Sequence, residues 1–119
     1  MKSIKSIVFF LTLIALIASL ESCKKCKKEN PRARITNNSN SSVSVQIMTT
    51  GGNTVNINNI APGSTSDYAN YAAGLVTFTV KITGVDYVKS VEMELCYEYD
   101  IVVDANNNIT SIPFDRNSK

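Results

Sequence analysis

Four carboxylates in one long alternating segment are the first candidates for chemistry: Glu92, Glu94, Glu98 and Asp100. In a straight strand these positions share one face, with neighbouring side chains about 6 to 7 Å apart. Paired carboxylates in glycosidases are about 5 to 9.5 Å apart. A glycosidase also needs the pair to face across a cleft, with one carboxyl in an apolar pocket. We therefore expect a solvated strand face, or a surface for a cation or basic partner, and no catalytic residue.

A loop near the C-terminus is the only candidate for a metal site. Asp104, Asn106 and Asn108 match the first ligand positions of an EF-hand loop, but Ile109 stands where that loop needs glycine. The flanking residues also have the pattern of strands rather than helices. We therefore predict an Asn-rich hairpin loop, no metal and no cofactor. The chain contains no histidine, which excludes imidazole-dependent catalysis and His-ligated zinc.

Two tyrosines and an amide are the candidates for a binding surface. Tyr68, Asn70 and Tyr71 fall in residues 67–74 (DYANYAAG), which predict either a short helical turn or an irregular crossover. Exposed tyrosines beside an amide are suited to stacking on a sugar or a protein partner. The alternative, which we favour, is that the two rings cap one end of the core.

The first 22 residues predict an export signal. Lys2 and Lys5 precede an apolar run over residues 7–20. As a helix this run would span about 21 Å, so a signal peptide fits better than a bilayer span of roughly 30 Å. The following residues, Leu20-Glu21-Ser22-Cys23, resemble the lipobox of bacterial lipoproteins. The resemblance implies a fatty-acylated Cys23 at the mature N-terminus; the alternatives are an uncleaved anchor or a plain secretory signal.

Residues 23–32 predict a polar tether with four lysines. These lysines either lie against anionic headgroups or merely solvate the linker. The basic run and the Asn-, Ile- and Thr-rich body resemble small lipoproteins of the Bacteroidota. The resemblance implies an envelope protein anchored in the outer membrane, on either its periplasmic or its surface side. From Ile35 onward, four basic and eight acidic side chains give a net charge of −4, which argues against nucleic-acid binding.

Cys26 and Cys96 would both meet an oxidising envelope. A disulfide between them would span 70 residues, and we keep it as an alternative. We expect separate thiols instead, with Cys96 packed against its strand, because Cys26 falls in the predicted tether.

Short β-branched runs divided by Asn, Ser, Thr and Gly clusters predict the elements that position these residues. Strands are expected over residues 34–37, 43–48, 55–57, 76–82, 91–103 and 109–114, with the first and last at sheet edges. Turns are expected over residues 51–53, 62–63, 83–86 and 104–108. The run 91–103 would be about 40 Å long as one strand. We therefore expect a bend near Cys96, or a strand that passes between two sheets.

These elements predict an all-β fold over residues 33–119, a small antiparallel β-sandwich of Ig-like or transthyretin-like type following the N-terminal signal helix. The Gly-rich turns and the IAPG turn resemble many small bacterial sandwich modules, which implies a fold and no activity. We predict a lipoprotein with a non-enzymatic binding or structural module. Its expected partner is a protein rather than a glycan, because the sheets are small and tryptophan is absent. The alternatives are an inhibitor or immunity-type lipoprotein acting through the acidic face and, less favoured, a carboxylate-based hydrolase.

Overall fold

The structure, a computed structural model, describes residues 26–117. Its eight strands are β1 Arg32–Asn37, β2 Val43–Met48, β3 Thr54–Ile60, β4 Ala69–Asn70, β5 Gly74–Ile82, β6 Val85–Met93, β7 Tyr97–Val103 and β8 Ile109–Asp115. Residues 67–74 form an extended crossover that contains β4, and not a helical turn. In the described part of the chain, no helix is long and apolar enough to cross a bilayer.

The strands form two four-stranded sheets packed as a sandwich. The first sheet has the order β4-β1-β7-β8, and the second has the order β3-β2-β5-β6. The predicted all-β sandwich is therefore confirmed. One pairing differs from the antiparallel expectation, because β1 runs parallel to β7, from Arg32 opposite Glu98 to Asn37 opposite Val103. The first sheet is consequently mixed.

β1 is an interior strand, and the prediction of an edge strand is wrong. It pairs with β7 on one side and with the two-residue β4 on the other. Beyond β4, the same edge is bonded by a crossover segment: Asn37 N–H donates to Ser64 O at 2.9 Å, and Ser66 N–H donates to Ile35 O at 2.8 Å. The first strand is therefore bonded on both sides for most of its length.

The predicted hairpin turns are confirmed with one change. Gly52 takes a positive φ of 84° in the β2–β3 turn, a conformation that glycine adopts without steric cost. The turn between β5 and β6 is shorter than predicted, because Val85 already pairs with Ile82 as the first residue of β6. β8 pairs only with β7 and forms a sheet edge, as expected.

The long alternating run breaks at a corner between the sheets, as its length predicts. β6 belongs to the second sheet and β7 to the first, and Cys96 takes a left-handed φ of 63° in the turn between them. The corner is fixed by Glu94 N–H, which donates to the Tyr99 hydroxyl at 2.8 Å. The corner shifts the alternation, so that Cys96 is buried and Leu95 is exposed.

The core lies between the inner faces of the two sheets. Its fully buried side chains come from five strands and include Ile35, Ile47, Phe78, Met93 and Ile101. Asn37 is a polar member of this interior: it donates to Ser41 O and Ile60 O at 2.8 Å each and accepts from Ser39. Its hydrogen bonds join β1, the β1–β2 loop and the end of β3.

Candidate functional site

A disulfide joins Cys26 to Cys96, with their Cα atoms 5.7 Å apart. The expectation of separate thiols is therefore wrong. The sheet-crossing corner brings Cys96 to the end of the sandwich at which β1 begins, and Cys26 precedes β1 by six residues. The parallel register of β1 and β7 then places the two cysteines side by side, which the linear sequence does not indicate.

The residues between Cys26 and β1 lie along the body. Cys96 N–H donates to Glu29 O at 2.8 Å, and Tyr71 N–H donates to Pro31 O at 3.0 Å. Arg116 contacts the Glu29 carboxylate at 3.3 Å. Residues 26–31 are thus part of the folded unit, and the prediction of a free tether over residues 23–32 is wrong for them. Cys23 and the predicted signal over residues 1–22 lie outside the described residues.

The strand directions give the sandwich two distinct ends. The disulfide end comprises residues 26–31, 49–53, 71–73, 94–96 and 116–117. The loop end comprises residues 38–42, 61–64, 83–84 and 104–108. Any anchor on the N-terminal side of Cys26 is therefore attached at the disulfide end.

The four predicted carboxylates do not share a face, because the corner separates them. Glu92 lies on β6 in the second sheet and Glu94 lies in the corner. Their counterparts on β7 form ion pairs with β1, in which Arg32 contacts Glu98 at 2.6 Å and Arg34 contacts Asp100 at 3.3 Å. The prediction of one solvated ladder is wrong, and the sequence pattern does not predict either arginine as a partner.

Glu98 is a carboxylate with a lowered pKa. Burial alone would raise its pKa, but the hydrogen bond from Arg32 and the charge of Arg116, 3.7 Å away, lower the pKa overall. A general acid needs a raised pKa. Glu98 is therefore held as a carboxylate, in the state opposite to that of a proton donor.

The three predicted binding residues divide between two faces. The Tyr68 ring covers the guanidinium groups of Arg32 and Arg34, with distances of 5.1 and 4.9 Å from Cζ to the ring centroid. Asn70 is exposed and pairs with Arg32 across the β4–β1 ladder. Tyr71 is only 4% exposed and packs in the core. The structure therefore excludes Tyr71 from an exposed platform and supports its role as a core cap. The favoured prediction of a core cap is wrong for Tyr68, which is exposed and packs on the two arginines.

The hydroxyl of Tyr71 has no hydrogen-bond partner among the described residues. Burial raises the pKa of this phenol. The Tyr71 side chain is therefore held in the core by the packing of its ring, since its hydroxyl makes no hydrogen bond to the described residues.

Two open polar clefts flank the sandwich. One, of about 330 Å³, lies at the disulfide end and is lined by Glu29, Asn30, Arg32, Asn70 and Arg116. The other, of about 320 Å³, lies on the outer face of the second sheet, and its polar lining includes Ser44, Gln46, Asn56, Asn58, Thr79 and Lys81. Asn70 thus lines the first cleft together with two arginines, and neither Tyr68 nor Tyr71 is part of that lining.

The edge strand β8 presents an apolar pair that the sequence analysis did not single out. Ile112 is 52% exposed and Phe114 is 56% exposed. Both lie on the outer face of the first sheet, opposite Asp100 and Glu98 respectively. The sequence already indicates this apolar pair, because Ile112 and Phe114 are two positions apart in a predicted strand and therefore share a face.

The loop over residues 104–108 is a hairpin loop, as predicted. The Asp104 carboxylate accepts the backbone N–H groups of Asn106 and Asn108 at 2.8 and 2.9 Å. No group of three or more potential metal-ligating side chains occurs within residues 26–117.

No family model matches this chain, and no curated protein matches it at a significant level. Its function must therefore be inferred from the chemistry of its own surfaces.

Proposed function

We propose that the chain is a lipoprotein of the bacterial cell envelope, anchored in the outer membrane through Cys23, with a non-catalytic binding module as its body. The lipobox-like Leu20-Glu21-Ser22-Cys23 supplies the anchor. Two or three acyl chains, at about 0.8 kcal/mol per buried methylene, would hold it on the membrane stably.

The Cys26–Cys96 disulfide is the observation that carries this proposal. Stable disulfides are typical of oxidising compartments outside the cytoplasm. The bridge also uses two of the three cysteines of the chain, so neither is a partner for Cys23. The remaining cysteine is the one at the lipobox position, where acylation would consume its thiol.

The intact mass of the protein extracted from native membranes tests the anchor. We expect the mass of residues 23–119 plus a diacylglyceryl group, with or without a further acyl chain. A Cys23→Ser variant should lose this mass and leave the membrane fraction. A Cys26→Ser variant is the matched control and should keep both. An unacylated native protein, or a Cys23→Ser variant that stays acylated, would refute the proposed anchor.

A binding role for the body is supported by the state of its carboxylates. Glu98 and Asp100 are each paired with an arginine, and the pKa of Glu98 is lowered. A carboxylate-based hydrolase would need one carboxyl with a raised pKa in an apolar pocket. The inhibitor alternative loses its predicted acidic face, because Glu92 lies in the second sheet, Glu94 in the corner, and Glu98 and Asp100 in the first sheet.

A protein partner would find its apolar contact on β8. Exposed Ile112 and Phe114 lie beside paired charges on an edge strand, and edge strands offer unpaired backbone groups. We propose this outer face of β8 as the protein-binding surface. Cross-linking in intact cells should give a discrete adduct that Phe114→Ser removes.

Val88→Ser is the matched control for this experiment. Val88 is 64% exposed on β6, in the other sheet, so its replacement removes similar apolar area elsewhere. An adduct that survives Phe114→Ser, or that disappears equally in both variants, would count against the β8 surface.

A glycan is the second candidate ligand, because of the cleft on the second sheet. Its amide and hydroxyl lining offers both donors and acceptors to sugar hydroxyls. Glycan-array binding that is lost in Gln46→Ala and kept in Phe114→Ser would assign binding to this cleft. The reverse pattern would assign it to β8.

A further inference from the structure

We propose that the disulfide end of the sandwich rests on an anionic lipid surface, and that the loop end points away from the membrane. The inference rests on the proposed acylation of Cys23. It adds a second partner for the body itself, namely the anionic headgroups of the bilayer that holds the anchor. This orientation would also decide which surfaces of the body a soluble partner can reach.

The short connection between Cys23 and the body is the first argument. Three peptide units separate Cys23 from Cys26. With 3.8 Å between consecutive Cα atoms, the two Cα atoms can be no more than about 11 Å apart. Cys26 is fixed by the disulfide to Cys96, and its N–H donates to Asn117 Oδ1 at 2.7 Å. The disulfide end therefore cannot move far from the lipid-bearing residue.

The charge of this end is the second argument. Lys27 and Lys28 are exposed in the segment 26–31, which is bound to the body, and Lys24 and Lys25 precede this segment in the sequence. Lysines are attracted to an anionic surface, and this attraction falls off within a Debye length of about 8 Å. The nearby Glu29 carboxylate is neutralised by Arg116, which leaves Glu94 as the exposed acidic group of the corner.

An exposed leucine at the same corner is the third argument. Leu95 follows Glu94 and precedes the bridged Cys96, and it is 42% exposed. The corner conformation turns this side chain outward while Cys96 turns inward. An apolar side chain at the same end as the exposed Lys27 and Lys28 is the combination that interfacial membrane contacts use.

The loops of the loop end contain no lysine and no large apolar side chain, and this end lies far from the anchor. Its loops include the Asn- and Ser-rich residues 38–42 and the DANNN residues 104–108. Lys81 and the exposed Val85 lie on the strands that flank its turn at residues 83–84. The nine residues of β5 separate the ends by about 30 Å at 3.3 Å per residue, well beyond the Debye length. The strands should consequently stand upright on the membrane, with both outer sheet faces open to the side.

Single tryptophans can test this orientation, because the natural chain contains none. Leu95→Trp places a probe at the disulfide end, and Asn106→Trp places one at the loop end. Each acylated variant is reconstituted in phosphatidylglycerol vesicles containing bromine-labelled lipids, which quench nearby tryptophan fluorescence. We expect several-fold stronger quenching at position 95 than at position 106. Equal quenching at the two positions would overturn the proposal.

Two further variants separate the contributions to the orientation. In the Leu95→Trp background, Lys27→Gln with Lys28→Gln should reduce quenching and its sensitivity to salt. Cys26→Ser with Cys96→Ser should reduce quenching by lengthening the connection, once circular dichroism has established that the variant is folded. Quenching that neither pair of substitutions changes would also refute the proposal.

The intact mass of each reconstituted protein distinguishes the two levels of inference. A missing acyl mass refutes the proposed lipid anchor. An acylated protein with quenching equal at positions 95 and 106 refutes only the orientation. Quenching restricted to position 95 in neutral phosphatidylcholine vesicles as well would refute the anionic-headgroup contact and assign the orientation to the short connection alone.

Discussion

The guanidinium of Arg32 lies 2.6 Å from the carboxylate of Glu98, directly across the parallel pair of β1 and β7. This contact joins the first described strand to one that begins 65 residues later. Arg116 lies on the other side of the same carboxylate, at 3.7 Å. Through Glu98, strand β7 is therefore linked both to β1 and to the residue that follows β8.

Stability should fall in acid through Glu98. The folded-state pKa of Glu98 lies below the ordinary value of 4.5, so its contribution is complete above 4.5 and is lost as pH falls through the lowered pKa. Urea unfolding should show Glu98→Gln to be less stable than the natural chain at neutral pH, with a smaller difference in acid. Glu92→Gln, at an exposed position, is the control. A Glu98→Gln deficit that stays constant with pH would contradict the assignment.

Two buried tyrosines should respond differently to loss of the hydroxyl. Tyr99→Phe removes the acceptor of Glu94 N–H and should cost about 1 kcal/mol in unfolding free energy. Tyr71→Phe removes a hydroxyl without a described partner and should leave stability unchanged or raise it by up to about 1 kcal/mol. Chemical denaturation of both variants measures the contrast. A larger loss for Tyr71→Phe than for Tyr99→Phe would show that the hydroxyl contacts are misassigned.

The disulfide should contribute strongly to stability. For a separation of 70 residues, the chain-entropy estimate is about 4 kcal/mol. Cys26→Ser with Cys96→Ser, and reduction of the natural protein, should lower the unfolding free energy by similar amounts. Reduction of the double variant is the control and should change nothing. An unchanged midpoint after reduction of the natural protein would contradict the prediction.

Asn37 should be sensitive to truncation although it carries no charge. Asn37→Ala removes the two donors to the carbonyls of Ser41 and Ile60 and the acceptor for Ser39, which should cost about 3 kcal/mol. Asn38→Ala, at an exposed neighbouring position, should cost less than about 0.5 kcal/mol. Thermal and urea unfolding would measure both. Equal small losses would rule out a structural role for the Asn37 amide.

Local patterns predict most of the strands, because alternation and turn chemistry act over a few residues. The break in residues 91–103 follows from length alone, since one straight strand would exceed the size of the domain. The parallel register of β1 and β7 is a long-range property of the sequence. It decides that Cys26 meets Cys96 and that Arg32 meets Glu98, so neither contact follows from spacing.

The candidate surfaces are less predictable for the same reason. The prediction of a tether over residues 23–32 leaves Arg32 outside the body and therefore does not give its pairing with a β7 carboxylate. Tyr68 and Tyr71 are close in sequence, but the alternation of β4 sends them to opposite faces of the sheet. Only the assembled sheet shows that Tyr68 covers arginines while Tyr71 fills the core.

The anchored N-terminal segment also sets an order of assembly. The partners that hold residues 26–31 are Tyr71, Cys96, Arg116 and Asn117, all far downstream in the chain. A chain delivered from its N-terminus cannot complete these contacts until its last strand has arrived. Residues 26–31 are therefore fully fixed only after β8 is in place, although they stand first in the described part of the chain.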